Sequence, residues 1–395
     1  MGAMDKISEN IYVGSVWALS SPRDLKAANI THIVSLLRGD VTDMSALGFK
    51  QLHIEIDDDD EEDIMRFFAQ TNEFIDAAVR EGGNVLVHCI AGISRSVTIA
   101  TAYILTETTK PPSPEDSTKP DHGYYIAQKA KDNEDLATTF VTKTINSIKQ
   151  GRSIANPNDS FRSQLVIFLR SGCAISLEKP LYRQWILAKR AEGIPLTGQP
   201  PKDINYVSAS DGMYKLSSNE SSGQVPPTST LAPGPRVPAS RPALTDLYAR
   251  LQRAPEASSQ TSLGAQPAPT NTPIQPRLTQ LRCKKCRTPL ASSKAFILHT
   301  PPSNAPGLKN APRNGLSVHS SLDRACMQYF MEPAMWMKPE LEKGAIDGKF
   351  CCPKCNSRIG SYSWQGNKCS CGTWVTPAIE LQRARVDEVV VRQPL

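Results

Sequence analysis

Brief apolar runs separated by polar turns fill the first part of the chain. "IYVGS", "HIVSLL", "QLHIEI" and "NVLVHC" are short and nearly continuous, as in strands buried within a sheet, whereas "IMRFFAQTNEFIDAAVRE" repeats its apolar residues at helical spacing. Strands alternating with helices predict an α/β domain over residues 1–175. Two further helices are expected in "DLATTFVTKTINSIK" and "SFRSQLVIFLRSG". Ahead of them, the polar stretch "ETTKPPSPEDSTKPDHGYYIAQKAKDNE", residues 107–134, predicts a surface insertion that stays a loop.

Beyond residue 175 the pattern changes. "LYRQWILAKRAEG" predicts one more helix, over 176–195, on the rim of the first domain. Residues 196–280 are rich in Pro, Ser, Thr, Gly and Gln and poor in aromatics, which predicts a disordered linker. Within it "ALTDLYARLQRA" alone has helical spacing, as a docking element or as a transient helix in a tether. Residues 281–395 return to strand-like runs, "SRIGSYSW" and "GTWVTPAIEL", set among cysteines, and predict a small β-rich domain. No internal repeat is evident.

Composition sharpens this division. The formal net charge of +6 hides an acidic front and a basic end. The basic end suits an anionic partner such as nucleic acid. The longest apolar runs, such as Val97 to Leu105, are too short to span a membrane, so no membrane partner is expected. "MGAMDKISEN" has neither a secretory nor a myristoylation pattern, which leaves cytoplasm and nucleus as the expected location. There, ten cysteines point to metal ligands or catalytic thiols before disulfides.

One thiol stands apart. In "VLVHCIAGISRS" an apolar strand ends on His88 and Cys89, a loop of Ile90, Ala91, Gly92, Ile93 and Ser94 follows, and a helix opens on Arg95 and Ser96. A loop curled at a helix N-terminus turns backbone N–H groups into one concavity, an anion cradle. A sulfur at its floor is favoured as thiolate, the nucleophilic form, and Arg95 offers a planar fork for two phosphoryl oxygens. This chemistry is phosphate-ester hydrolysis through a phosphocysteine, with Ser96 hydrogen-bonding the leaving thiolate in the second step and His88 ordering the loop. A leaving alkoxide also needs an acid. The run "IEIDDDDEED" supplies candidates, although carboxylates in a helix's first turn are explained equally well by the dipole.

The tail carries a second chemistry. Cys283-x2-Cys286, His299, Cys326, Cys352-x2-Cys355 and Cys369-x-Cys371 offer eight ligands, enough for two structural Zn²⁺ ions. Sequential and interleaved pairings both close, and the last four cysteines form the most compact set. His319 is the substitute for His299. Cys351 is read as a small core residue able to replace Cys352, and Cys173 as a buried apolar residue. Trp336, Trp364 and Trp374 fit either an RNA surface or the core of the metal domain.

These residues carry a resemblance. "HCIAGISRS", with "IYVGSVWALSSPRDLKAANITHIVSLL", "LHIEIDD" and "NPNDSFRSQL", resembles the dual-specificity protein phosphatases over residues 5 to about 172. The resemblance implies a central, mostly parallel sheet flanked by helices, a general acid at Asp58 with Asp57 as fallback, and a shallow pocket for phosphoserine, phosphothreonine and phosphotyrosine on protein substrates. The insertion departs from the family pattern. "YFMEPAMWM", "GKFCCPKCNSRIGSYSW" and "CSCGTWVTPAIELQRARVDE" resemble the C-terminal zinc domain of one atypical branch of that family. That branch, eukaryotic with many fungal members, implies a role on pre-60S particles in large ribosomal subunit assembly, where a placeholder is released from the stalk site. There the zinc domain carries the ribosomal role and the phosphatase activity is dispensable, so a purely non-catalytic adaptor is the alternative.

Overall fold

The computed structural model describes residues 2–111, 122–192, 194, 199–210, 212–213, 278–299 and 326–391. They form two compact units, one ending at Leu181 and one beginning at Tyr182.

In the first unit, strands β1 (Met4–Lys6), β2 (Ile11–Ser15), β3 (Ile30–Leu36), β4 (Lys50–Ile54) and β5 (Asn84–Cys89) form a sheet of order β1-β2-β5-β3-β4. Only β1 runs antiparallel. The central strand β5 is covered on both faces, so Val85, Leu86 and Val87 are fully buried and no alternation of polar residues interrupts the run. Helices α1 (Pro22–Ala27), α2 (Phe68–Arg80), α3 (Arg95–Thr109), α4 (His122–Ala130), α5 (Glu134–Gly151) and α6 (Asp159–Arg170) complete the unit, with α4, α5 and α6 packed on α3. The helix α3 is buried along almost its whole length. The starts of α5 and α6 are capped by Asn133, accepting the Leu136 N–H at 2.9 Å, and Asn158, accepting the Phe161 N–H at 2.7 Å.

The expected loop over 107–134 needs correction at both ends. Glu107 lies inside α3 and is buried, and residues 122–130 form α4 (His122–Ala130). The reason is the small pair Ala127 and Ala130, which share one helical face and are fully buried. Residues 112–121 lie outside the described residues.

The helix α7 (Pro180–Glu192) also needs correction. Its Leu187 and Ala191, together with Ile194 and Tyr206, pack in one core with Leu281, Leu290, Met331, Phe350 and Trp364. Arg183 and Glu332, both buried, pair at 2.6 Å within the same unit. The helix is therefore part of the second unit and not a rim of the first. The second unit starts about a hundred residues before the expected boundary at 281. The patch "ALTDLYARLQRA" lies outside the described residues.

The second unit holds β6 (Thr279–Cys283), β7 (Pro289–Ser292), β8 (Gln328–Phe330), β9 (Asp347–Cys351), β10 (Arg358–Ser363), β11 (Asn367–Lys368), β12 (Trp374–Val375), β13 (Ala378–Gln382) and β14 (Val386–Val390). They make sheets of order β8-β13-β10-β9, β14-β6-β7 and β11-β12. Trp364 is fully buried and Trp336 donates to the Leu290 carbonyl at 2.8 Å, whereas Trp374 is exposed. No helix among the described residues is long and apolar enough to cross a membrane.

Candidate active site and metal centres

The strand β5 stops at Cys89 and α3 starts at Arg95, so Ile90 to Ser94 must turn within five residues. Gly92 makes the turn possible at φ +70. The carbonyls of the loop are drawn outward by partners from elsewhere: Val16 N–H to Ile90 at 3.2 Å, Arg152 Nη2 to Ala91 at 3.0 Å, Arg152 Nε to Gly92 at 2.7 Å, and Asn156 N–H to Ile93 at 2.8 Å. In a planar trans peptide the N–H points opposite the C=O. The amides of Ala91 to Ser94 are thereby turned to the inner side, above Cys89. The Cys89 Sγ is buried, accepts the Gly92 N–H at 3.2 Å and lies 3.3 Å from Ser96 Oγ. Arg152 is itself buried and paired with Asp5 at 2.6 Å.

Arg95 is buried and donates from Nη1 to the Ile56 carbonyl at 2.8 Å, which joins it to the segment carrying the acidic run. Of the two carboxylates expected as the acid, Asp58 reaches the loop: its Oδ1 accepts Ser94 Oγ–H at 2.7 Å and Asn158 Nδ2–H at 2.9 Å, and its Oδ2 stands 3.7 Å from Arg95 Nε. Asp57 is engaged instead by Arg38, which also holds Glu62. Asp63 accepts the Arg66 N–H at 3.2 Å ahead of α2, but the first turn of α2 holds no acidic residue, so the first-turn role expected for the run is not the one it takes.

His88 is fully buried, with Nε2 2.7 Å from Ser35 Oγ. Ser35 Oγ also accepts from Gln51 Nε2 at 3.1 Å, which ties the imidazole to the sheet. Burial pushes His88 down to about 4. The unfolded chain then binds the proton more readily than the folded one, so this contribution is complete above pH 6.5 and disappears as pH falls towards 4. Denaturant titrations of the wild type are expected to show a loss of about 3 kcal/mol across that window, with the His88 share absent in His88→Asn.

A methyl group at Gly92 would stand 2.5 Å from the Gly14 carbonyl oxygen and 2.6 Å from Arg152 Nη2. Gly92→Ala is expected to lower kcat/KM on an aryl phosphate by on the order of 10²-fold through displacement of the loop. Gly39, at φ +85 with open space around it, provides the control Gly39→Ala, for which activity stays within about 2-fold.

Sequence reasoning missed Arg152, Asp5, Asn158 and Ser35. Each is remote from the loop along the chain, and the only signal was "NPND", quoted for its resemblance alone.

The tail ligands assemble into two groups, Cys283, Cys286, Cys352 and Cys355, and His299, Cys326, Cys369 and Cys371, with ligand atoms in each within 4.8 Å of one another. The pairing is interleaved. The compact set of the last four cysteines does not form, because the β9–β10 turn faces the β6–β7 turn and the β11–β12 hairpin faces β8. A tetrahedral ion with bonds of about 2.3 Å sets its sulfurs about 3.8 Å apart. Cys283 and Cys355 are 3.7 Å apart, Cys286 and Cys352 3.5 Å, and Cys326 Sγ stands 3.5 Å from His299 Nε2. The donor sets therefore fit a soft divalent ion. Burial pushes the Cys326 and Cys352 thiols up to about 12, while hydrogen bonds from Ser357 bring Cys355 down to about 6. None of the ten cysteines is in a disulfide. Cys351 is exposed, which corrects its reading as a core residue, and Cys173 is half-buried rather than fully buried, its thiol pushed up to about 11 by the surrounding protein. His319 lies outside the described residues.

The family described as dual specificity phosphatase, catalytic domain, matches residues 11–111. Over nearly its whole length the chain is similar to the tyrosine-protein phosphatase YVH1 of Saccharomyces cerevisiae, at 30% identity over 97% of this chain and 91% of the relative. It is similar to yvh1 of Schizosaccharomyces pombe at 28% identity over 98% and 85%. Among solved structures, the Yvh1 phosphatase domain from Chaetomium thermophilum is 30% identical, covering 44% of this chain and 99% of that one, with a TM-score of 0.37.

Proposed function

Because the chain belongs to the YVH1 family of dual-specificity phosphatases, and so is a protein phosphatase acting on phosphoproteins, we propose that Cys89 is its nucleophile, Arg95 its phosphate clamp and Asp58 its general acid. The observation that carries this reading is the buried Cys89 Sγ beneath inward amides, with Arg95 and Asp58 meeting beside it. As the S–P bond forms and the ester P–O bond breaks, the loop amides and Arg95 hold the phosphoryl oxygens, and Asp58 gives its proton to the departing oxygen. In the second step water attacks phosphorus, its proton passes to the Asp58 carboxylate, and the S–P bond breaks. Ser96, 3.3 Å from the sulfur, hydrogen-bonds the emerging thiolate. His88, neutral and locked by Ser35, orders the loop and transfers no proton.

A pocket of this kind accepts phosphotyrosine and phosphoserine or phosphothreonine. Release of phosphate from peptides bearing each, with an acid-quenched phosphoenzyme in every case, tests the breadth. Phosphate release without any phosphoenzyme would overturn the covalent route.

The second unit has a separate reading. We propose that its two ligand groups each hold a structural Zn²⁺, with no part in catalysis, and that this basic unit binds pre-60S particles in large-subunit maturation, in cytoplasm and nucleus. What supports it is the exposure of Leu298, Met327 and Trp374, each close in sequence to a ligand of the second group, in a basic segment. Co-sedimentation with large-subunit precursors that survives Cys89→Ser and is lost with Cys286→Ser is the expected result. Association that survives Cys286→Ser and loss of the tail would remove this reading, and a dependence on Cys89 would remove the non-catalytic alternative.

A further inference from the structure

The corner between α5 and α6 follows the Cys89–Arg95 loop residue by residue. Arg152 takes the Ala91 and Gly92 carbonyls, the Asn156 N–H takes Ile93, and the Asn158 N–H donates to Ser94 Oγ at 3.2 Å. The Asn158 side chain then reaches beyond the loop. Its Nδ2 donates to Asp58 Oδ1 at 2.9 Å, and its Oδ1 accepts the Phe161 N–H at 2.7 Å. Both ends of one amide are committed, so the group cannot turn without breaking a bond to the acid or to the helix.

This decides which Asp58 oxygen can work. A carboxylate oxygen has two lone pairs. Those of Oδ1 are taken by Ser94 Oγ–H and Asn158 Nδ2–H. A proton carried by Asp58 therefore sits on Oδ2, the oxygen on the side of Arg95. Capping of α6 explains Asn158 Oδ1 but not Nδ2, since serine or aspartate caps as well.

We propose that Asn158 is a positioning residue for the phosphatase reaction: it holds Asp58 with Oδ2 toward the leaving oxygen and ties that orientation to the seating of the phosphate loop. This rests on the assignment of Asp58 as general acid. As the S–P bond forms and the ester P–O bond breaks, the proton leaves Oδ2 for the ester oxygen, and the carboxylate that results already has two donors on its other oxygen. An acid held this way matters for esters whose leaving group is strongly basic and little for those whose leaving group departs as a stable anion.

Asn158→Ser keeps a good cap but is too short to reach Asp58. In the full-length protein, kcat/KM for phenyl phosphate is expected to fall by about 10- to 100-fold, against about 3-fold or less for 2,4-dinitrophenyl phosphate. In an Asp58→Asn background, Asn158→Ser is expected to cost nothing further on phenyl phosphate. Where the serine variant does not fold, Asn158→Asp, nearly isosteric and equally able to cap, is expected to give the same split between the two esters. Equal losses on both esters, or an undiminished loss in the Asp58→Asn background, would overturn the proposal while leaving Asp58 as the acid. If Asp58→Asn alone fails to discriminate between the esters, the acid assignment falls and the proposal with it.

Discussion

Replacing Cys89 by serine is expected to lower kcat for aryl phosphate hydrolysis by at least about 10⁴-fold, with the fold and the affinity for inorganic phosphate retained. The loop amides are positioned by partners that do not include the side chain at 89: Val16, Arg152 and Asn156 hold the carbonyls from outside. A serine oxygen at the same floor meets the same Gly92 N–H and the same Ser96 hydroxyl. What it lacks is the greater acidity of a thiol over a hydroxyl, and His88, turned into the sheet against Ser35, is not placed to serve as its base. Binding and reaction therefore separate in this variant. Steady-state hydrolysis together with phosphate inhibition checks both halves. Residual activity above about a hundredth of wild type would show that another nucleophile serves the site.

The loop was legible because its chemistry is contiguous: the strand end, the glycine, the arginine and the helix start lie within Val85 to Ser96, and each has a local physical reason. Fold class followed from the same kind of local evidence, since the buried β5 cannot alternate polar and apolar residues. What escaped is what depends on long-range contact. Asn158 and Arg152 meet the loop only because α5 and α6 fold back over it, and nothing in "GRSIANPND" marks which atoms face which. Spacing alone left Asp57 and Asp58 open and the resemblance favoured Asp58; the contact with Arg38 that draws Asp57 aside is again long-range. The helix α7 shows the same limit from the other side: its stripe of Leu187, Ala191 and Ile194 demands a core, but periodicity does not say which of two. The insertion was misread because its middle is polar while the ends, Glu107 and Ala127 with Ala130, are buried within helices.

Removal of a ligand from the first cysteine group is expected to have the largest structural effect in the chain. Cys283 closes β6 and Cys286 the turn before β7, while Cys352 and Cys355 lie in the turn from β9 to β10. One ion would thus bind together the β14-β6-β7 and β8-β13-β10-β9 sheets, and Cys283 and Cys352 are members of the core with Trp364 and Phe350. The second group joins β8 to a hairpin of two residues per strand, over a core that contains Phe330, Val375 and Ala378. Structural zinc contributes on the order of 10 kcal/mol or more to small domains of this kind. We therefore expect metal analysis to give two Zn²⁺ per chain and one in Cys286→Ser, with cooperative unfolding of the second unit abolished. Cys371→Ser also loses one ion but leaves a measurable, weakened transition. Hydrolysis of a small aryl phosphate persists in both variants, because every residue assigned to the reaction lies in the unit that ends at Leu181. Two ions retained in Cys286→Ser, or equal destabilisation by the two substitutions, would show that the first group is not the staple between the sheets.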